Sequence, residues 1–112
     1  MVYTADKVKD EITPDIRKEM ITSMKNDKDY SSYSSISIFV ELWVAGCWLN
    51  EKLKENGFSE EDMSNIGFEH GRMCFGRDPY EMAARQYNKY VAKEKVENLE
   101  GSPLQYNEET KC

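Results

Sequence analysis

Residues 36–57 read ISIFVELWVAGCWLNEKLKENG, and the fold class turns on the period assigned to this stretch. Ile36, Ile38, Val40, Leu42 and Val44 alternate with period two, which is a strand signal. The same residues also fit helical rows. Ile36, Val40, Trp43 and Cys47 form one, and Ile38, Leu42, Ala45, Leu49 and Leu53 form another. The continuation decides between the two readings. Residues 47–56, CWLNEKLKEN, are rich in helix formers and hold no breaker, and Gly57 is a natural helix stop. A strand would need a turn at Ala45-Gly46, and no partner strand is visible elsewhere. One helix over 34–56 accounts for both halves.

The flanking sequence is punctuated for helices as well. Thr13-Pro14-Asp15 is a helix start: a capping hydroxyl, a proline at the first helical position and an acid at the positive end. Ile16, Met20 and Met24 then follow at spacings of four, which predicts a helix over 13–26, with Val8 and Ile12 on a short turn before it. Residues 27–35, DKDYSSYSS, read as a connection. Ser59 opens a third helix over 59–75, stopped by Gly76. Asp78-Pro79 opens a fourth over 79–97, with its apolar stripe at Tyr80, Ala83, Ala84, Tyr87 and Val91. Glu81 is placed to pair with Arg85 on its outer face. The expectation is all-α: a small bundle of about four helices with a long apolar central helix. Residues 1–100 form one helical domain, and 101–112 form a polar C-terminal tail in which Leu104 and Tyr106 are the main apolar material.

Composition narrows the function. The net charge of −6 opposes non-specific attraction to nucleic acid or to an anionic membrane. The apolar run from Ile38 to Leu49 is broken by Glu41, so no membrane partner is expected. The opening MVYTADKVKDEI lacks the apolar core of a secretory signal. Cys47, Cys74 and Cys112 are odd in number and widely spaced, so the expected setting is the reducing cytoplasm. Arg85, Lys89, Lys93 and Lys95 with Tyr87 and Tyr90 look like a basic-aromatic patch, but nearby Glu94, Glu97 and Glu100 dilute it to an ordinary solvated face. Arg72 and Arg77 beside Asp78-Pro79 could hold an anion. The plain alternative pairs Arg72 with Glu69, and Asp78 would itself repel an anion there.

His70 is the only histidine, and it shares a helix face with Met63, Ile66, Gly67 and Cys74. A lone imidazole on such a face is usually a hydrogen-bonded core residue. The sharper reading makes it a ligand-binding group in a cleft walled by Trp43, Trp48, Tyr80 or Tyr87, with space left by Gly67 and Gly71. His70 and Cys74 have the i, i+4 spacing of metal ligands, and Cys47 would be a third. The chain has no Cys-x-x-Cys pair and no second histidine, so neither metal nor cofactor is expected. No glycine-rich phosphate loop, nucleophile elbow or zinc-protease helix is present. The leading functional reading is a small, soluble, non-enzymatic interaction or regulatory protein acting as a homodimer. The dimer would cover Ile38, Phe39, Leu42, Trp43, Trp48 and Leu49, more apolar surface than one small bundle can hide. The alternative is a small-ligand-binding protein or minor enzyme built on the His70 cleft.

Overall fold

The computed structural model describes residues 2–92. Those residues form five helices and no strand: α1 (Ala5–Glu11), α2 (Pro14–Lys25), α3 (Ser37–Glu55), α4 (Glu60–Met73) and α5 (Pro79–Tyr90). A single 3-10 turn, Ser31–Tyr33, lies between α2 and α3. Residues 93–97 of the expected last helix lie outside the described residues, as does the expected tail 101–112.

The fifth helix corrects the count of about four. Pro14 disfavours helical backbone at the residue before it, and Thr13 is extended at φ −66°, ψ 162°. Val8 and Ile12 therefore cannot join α2. Val8 sits on a separate helix, capped by the Thr4 hydroxyl accepting from Lys7 N at 3.2 Å, and Ile12 lies just past its end. Val8 is fully buried, so this short helix contributes to the core.

The alternation in 36–44 resolves as helix. α3 starts at Ser37, three residues later than expected, because the 3-10 turn and extended Ile36 occupy the approach. Its core face is Val40, Val44, Ala45, Trp48, Leu49 and Leu53, spaced for one side of a helix. The helix is not apolar all round. Glu51, Lys54 and Glu55 are exposed in its last turns, while Ile38 and Phe39 at its start are apolar yet 66% and 41% exposed. α3 packs against α2, α4 and α5, and α1 packs on α5.

The other helix ends follow their sequence signals. Ser59 and Asp78 cap α4 and α5 by accepting from Asp62 N at 3.1 Å and Tyr80 N at 2.9 Å. Gly57 and Gly76 take φ of 82° and 66°, a left-handed backbone that costs a residue with a Cβ roughly 1–2 kcal/mol. Glu81 and Arg85 pair at 3.0 Å. No helix among the described residues is long and apolar enough to cross a membrane.

Candidate functional site

Three glutamates at the helix seams, two half-buried and Glu11 exposed, each gather a tyrosine hydroxyl and a cation. Glu41, the one acid inside the apolar run, receives Arg17 in a two-pronged pair at 3.0 and 2.6 Å and also accepts from the Tyr80 hydroxyl. Glu11 accepts from Trp48 Nε1 at 2.9 Å, from Lys52 Nζ at 2.8 Å and from the Tyr3 hydroxyl. Glu69 accepts from Gln86 Nε2 at 3.1 Å, Tyr90 at 2.8 Å and Lys89 at 3.1 Å. These clamps tie α2 to α3 and α5, α1 to α3, and α4 to α5. Two planar donors in one fork give the Arg17–Glu41 pair its fixed geometry.

The structure disperses the residues expected around His70. Trp48 and Tyr87 join Tyr3 in an aromatic cluster, with ring centroids 4.6 to 5.9 Å apart. Asn88 pins that cluster by exchanging two hydrogen bonds with the Tyr3 backbone, at 2.8 and 3.0 Å. Tyr80 belongs to the Arg17–Glu41 clamp, and burial followed by its bond to Glu41 pushes its hydroxyl up to about 12. A cavity of about 430 Å³ lies beside that clamp, lined by Lys9, Arg17, Glu41, Asp78 and Tyr80 with two cations and two anions balanced. Its charges already satisfy one another, so it offers little to a charged ligand.

His70 and Trp43 do meet, on a larger groove of about 760 Å³. Its floor is the outer side of α3: Phe39, Leu42, Trp43, Gly46 and Cys47. Met24, Tyr30 and Tyr33 form one wall, and Met63, Ser64, Gly67, His70 and Gly71 of α4 form the other. Trp43 is held in place by donating Nε1 to Met20 O at 3.0 Å. A Cβ added at Gly46, Gly67 or Gly71 would meet nothing within 4 Å, so the glycines open the groove and do not serve a packed crossing inside the chain. No charged side chain lines it.

His70 is 2% exposed. Its Nε2 lies 3.0 Å from Pro79 O, an acceptor only, so Nε2 carries the proton and donates. Cys74 Sγ approaches the same nitrogen at 3.4 Å. Nδ1 has no partner among the described residues. Burial lowers the pKa of His70, with the Pro79 bond partly opposing, and the ring is neutral at pH 7. The thiols of Cys47 and Cys74 are pushed up to about 11, by burial first and then by Glu51 and Asp78 respectively. They are protonated at neutral pH and poor nucleophiles. Among the described residues no three metal-ligating side chains come together.

His70 therefore bridges α4 to the first turn of α5. His70→Ala is expected to cost about 2–3 kcal/mol, from a cavity and an orphaned Pro79 carbonyl. Urea unfolding checks this, with Met63→Ala on the half-buried groove wall as the smaller comparison. A loss no greater than that of Met63→Ala would contradict the bridging role.

Several residues that matter here were not singled out from the sequence, among them Tyr3, Glu11, Lys52, Asn88, Arg17 and Gln86. An isolated acid within an apolar run is a signal that a cation must reach it, and Arg17 is that cation. Gln86 is 1% exposed and its Nε2 donates to Ile66 O and to Glu69, and nothing local in the sequence marks it. Arg72 does not pair with Glu69. It lies over the Phe68 ring at 5.4 Å, while Lys89 takes the carboxylate. Arg85 and Lys89 of the basic-aromatic patch are both in ion pairs, leaving little free charge for a nucleic acid. Comparison with known protein families, curated proteins and solved structures finds no match to this chain.

Proposed function

We propose that this is a protein-interaction module without catalytic machinery, and that a second copy of the chain covers its α3–α4 groove. The supporting observation is large apolar side chains exposed outside the groove as well as in it. Ile36 and Ile38 stand exposed at the start of α3 beside the groove residues Tyr30, Tyr33 and Phe39, and Phe68 of α4 and Phe75 just past its end are 70% and 86% exposed. A small molecule filling the groove would leave Ile36, Ile38, Phe68 and Phe75 in water, whereas a protein surface could cover them as well. Self-pairing suits the charge distribution. A chain with net charge −6 repels its copies, and an uncharged groove is where that repulsion is least. The interface residues expected from sequence divide accordingly. Ile38, Phe39, Leu42 and Trp43 remain available, while Trp48 and Leu49 are buried within the chain at 4% and 1%.

One observation favours a second reading. The unpartnered Nδ1 of buried His70, beside the Trp43 wall, suits an apolar molecule carrying one hydrogen-bond donor. Light scattering at micromolar concentration separates the readings. Twice the 13.1 kDa chain mass is expected, with Phe39→Asp returning the single-chain mass while keeping the helical circular dichroism. A wild-type monomer whose Trp43 emission responds to an apolar dye would replace self-association by the ligand reading.

A further inference from the structure

We propose that the aromatic end of the groove binds a small organic ammonium ion, its charged head against the rings of Tyr30, Tyr33, Phe39 and Trp43. Those four rings line the groove together. Centroids lie 5.5 Å apart for Tyr30 and Trp43, 6.4 Å for Tyr30 and Tyr33, and 5.1 Å for Tyr33 and Phe39. The planes are tilted by 46° to 57°, so no pair stacks face to face. Local bonds hold the rings in place. Trp43 donates Nε1 to Met20 O at 3.0 Å and to Ser23 Oγ at 3.3 Å. The Asp27 carboxylate accepts from Asp29 N at 2.8 Å and from Tyr30 N at 3.1 Å, and the short turn Ser31–Tyr33 carries Tyr33.

The charge pattern selects a cation. An aromatic face attracts positive charge through its quadrupole, most strongly where water is partly excluded. Elsewhere in the chain Tyr3, Trp48, Phe68, Tyr80 and Tyr90 each have a lysine or arginine 5.0 to 5.9 Å from the ring centre. Among the described residues none of the four groove rings has one. Neither Asp27 nor Asp29 makes an ion pair among the described residues, so negative charge stands beside Tyr30, and the net charge of −6 adds to the attraction. On the opposite wall His70 is neutral at pH 7, so no positive group opposes a cation there. An anion would find no partner in the groove, and a neutral molecule would gain burial without the attraction. From Phe39 to Asn50 the groove follows roughly 16 Å of α3, which leaves room for an apolar body behind the head. The site goes beyond the self-association reading. A cation seated here competes with a second copy over the same groove, so each opposes the other.

Choline and 3,3-dimethyl-1-butanol, its uncharged carbon isostere, separate charge from shape. Trp43 emission, over the background of buried Trp48, reads choline binding to a chain diluted until it is monomeric, with the alcohol titrated as a competitor. Choline should bind roughly tenfold more tightly than the alcohol. Tyr30→Leu keeps an apolar side chain and removes one ring face. It should weaken choline roughly fivefold and the alcohol less than about twofold. Tyr30 is exposed, and unchanged helical circular dichroism confirms that the fold survives. Equal affinity for the two molecules, equal losses on Tyr30→Leu, or no binding of choline overturns the cation site. Sedimentation reads pairing separately. Where the wild-type chain pairs, choline at about ten times its dissociation constant should weaken the dimer roughly tenfold or more. Choline that binds and leaves pairing unaltered keeps the cation site and moves the dimer interface off the groove. A wild-type monomer that binds choline keeps the site and overturns self-association alone.

Discussion

Trp48→Ala should destabilise the fold by about 3–5 kcal/mol, against about 1–2 kcal/mol for Trp43→Ala. The two tryptophans lie five residues apart on α3 and differ in what surrounds them. Trp48 is 4% exposed, packs edge-on to Tyr3 with centroids 5.1 Å apart, and donates to Glu11. Its removal empties a cavity bounded by α1, α3 and α5 and takes a donor from Glu11. Trp43 is half-buried and lines the groove, so truncation there widens an existing opening. A domain of this size holds about 5–15 kcal/mol in total, so the Trp48 variant should sit close to unfolding at 25 °C. Urea midpoints at a concentration low enough to keep the chain monomeric read the difference. Equal losses at the two positions would mean that the core is not centred on Trp48.

Helix boundaries were legible where chemistry is local. Thr13-Pro14, Ser59 and Asp78-Pro79 start helices, and Gly57 and Gly76 stop them, because a cap or a positive φ depends on one or two residues. The period of 36–44 was legible only through its continuation into 47–56. Alternation and helical rows coincide when nearly every residue is apolar, and the uninterrupted helix formers after Cys47 broke the tie. The separate α1 was less visible. Its seven residues carry a single buried side chain, Val8, and so show too little periodicity to stand out.

The candidate site was half legible. Period alone puts His70 on an inner face of α4 and Trp43 on α3, and the groove joins them. It cannot say which neighbour claims a side chain with two suitable sides. Tyr80, Tyr87 and Trp48 all face inward as expected, but Glu41, Tyr3 and Glu11 bind them away from His70. Those attachments span 39, 84 and 37 residues, and no local pattern encodes a contact between distant helices. The same limit applies to Arg17. Its position on α2 is plain, while its partner 24 residues later follows only once α2 is laid against α3.

Acid should destabilise this protein over two overlapping pH ranges, and the sign follows from the groups involved. Arg17 holds Glu41 below the ordinary glutamate value of 4.5, outweighing burial, with Tyr80 adding to the effect. For Glu11 and Glu69 burial is the largest single influence and acts upward. It is outweighed by the combined donors, Lys52, Tyr3 and Trp48 at Glu11, and Gln86, Tyr90 and Lys89 at Glu69. A carboxylate whose folded pKa is depressed contributes stability that is complete above its unfolded pKa and is lost as pH falls through the folded one. His70 acts in the same direction from a higher starting point. Burial keeps it neutral, so unfolding gains a proton at that site as pH drops below the ordinary 6.5. Stability should therefore decline gently below pH 6.5 and steeply below pH 4.5. The acidic surface works the other way, since protonation relieves the repulsion of a −6 chain. At about 0.15 M salt the Debye length is about 8 Å, which screens that spread-out repulsion far more than contacts within about 3 Å. Urea midpoints from pH 7 to pH 3 should fall throughout. Glu41→Gln, which keeps the side-chain shape but cannot titrate, should be weaker at pH 7 and show a shallower fall below pH 4.5. His70→Gln should flatten the upper limb alone. A midpoint that holds level or rises towards pH 3 would mean that surface repulsion outweighs the three glutamate clamps.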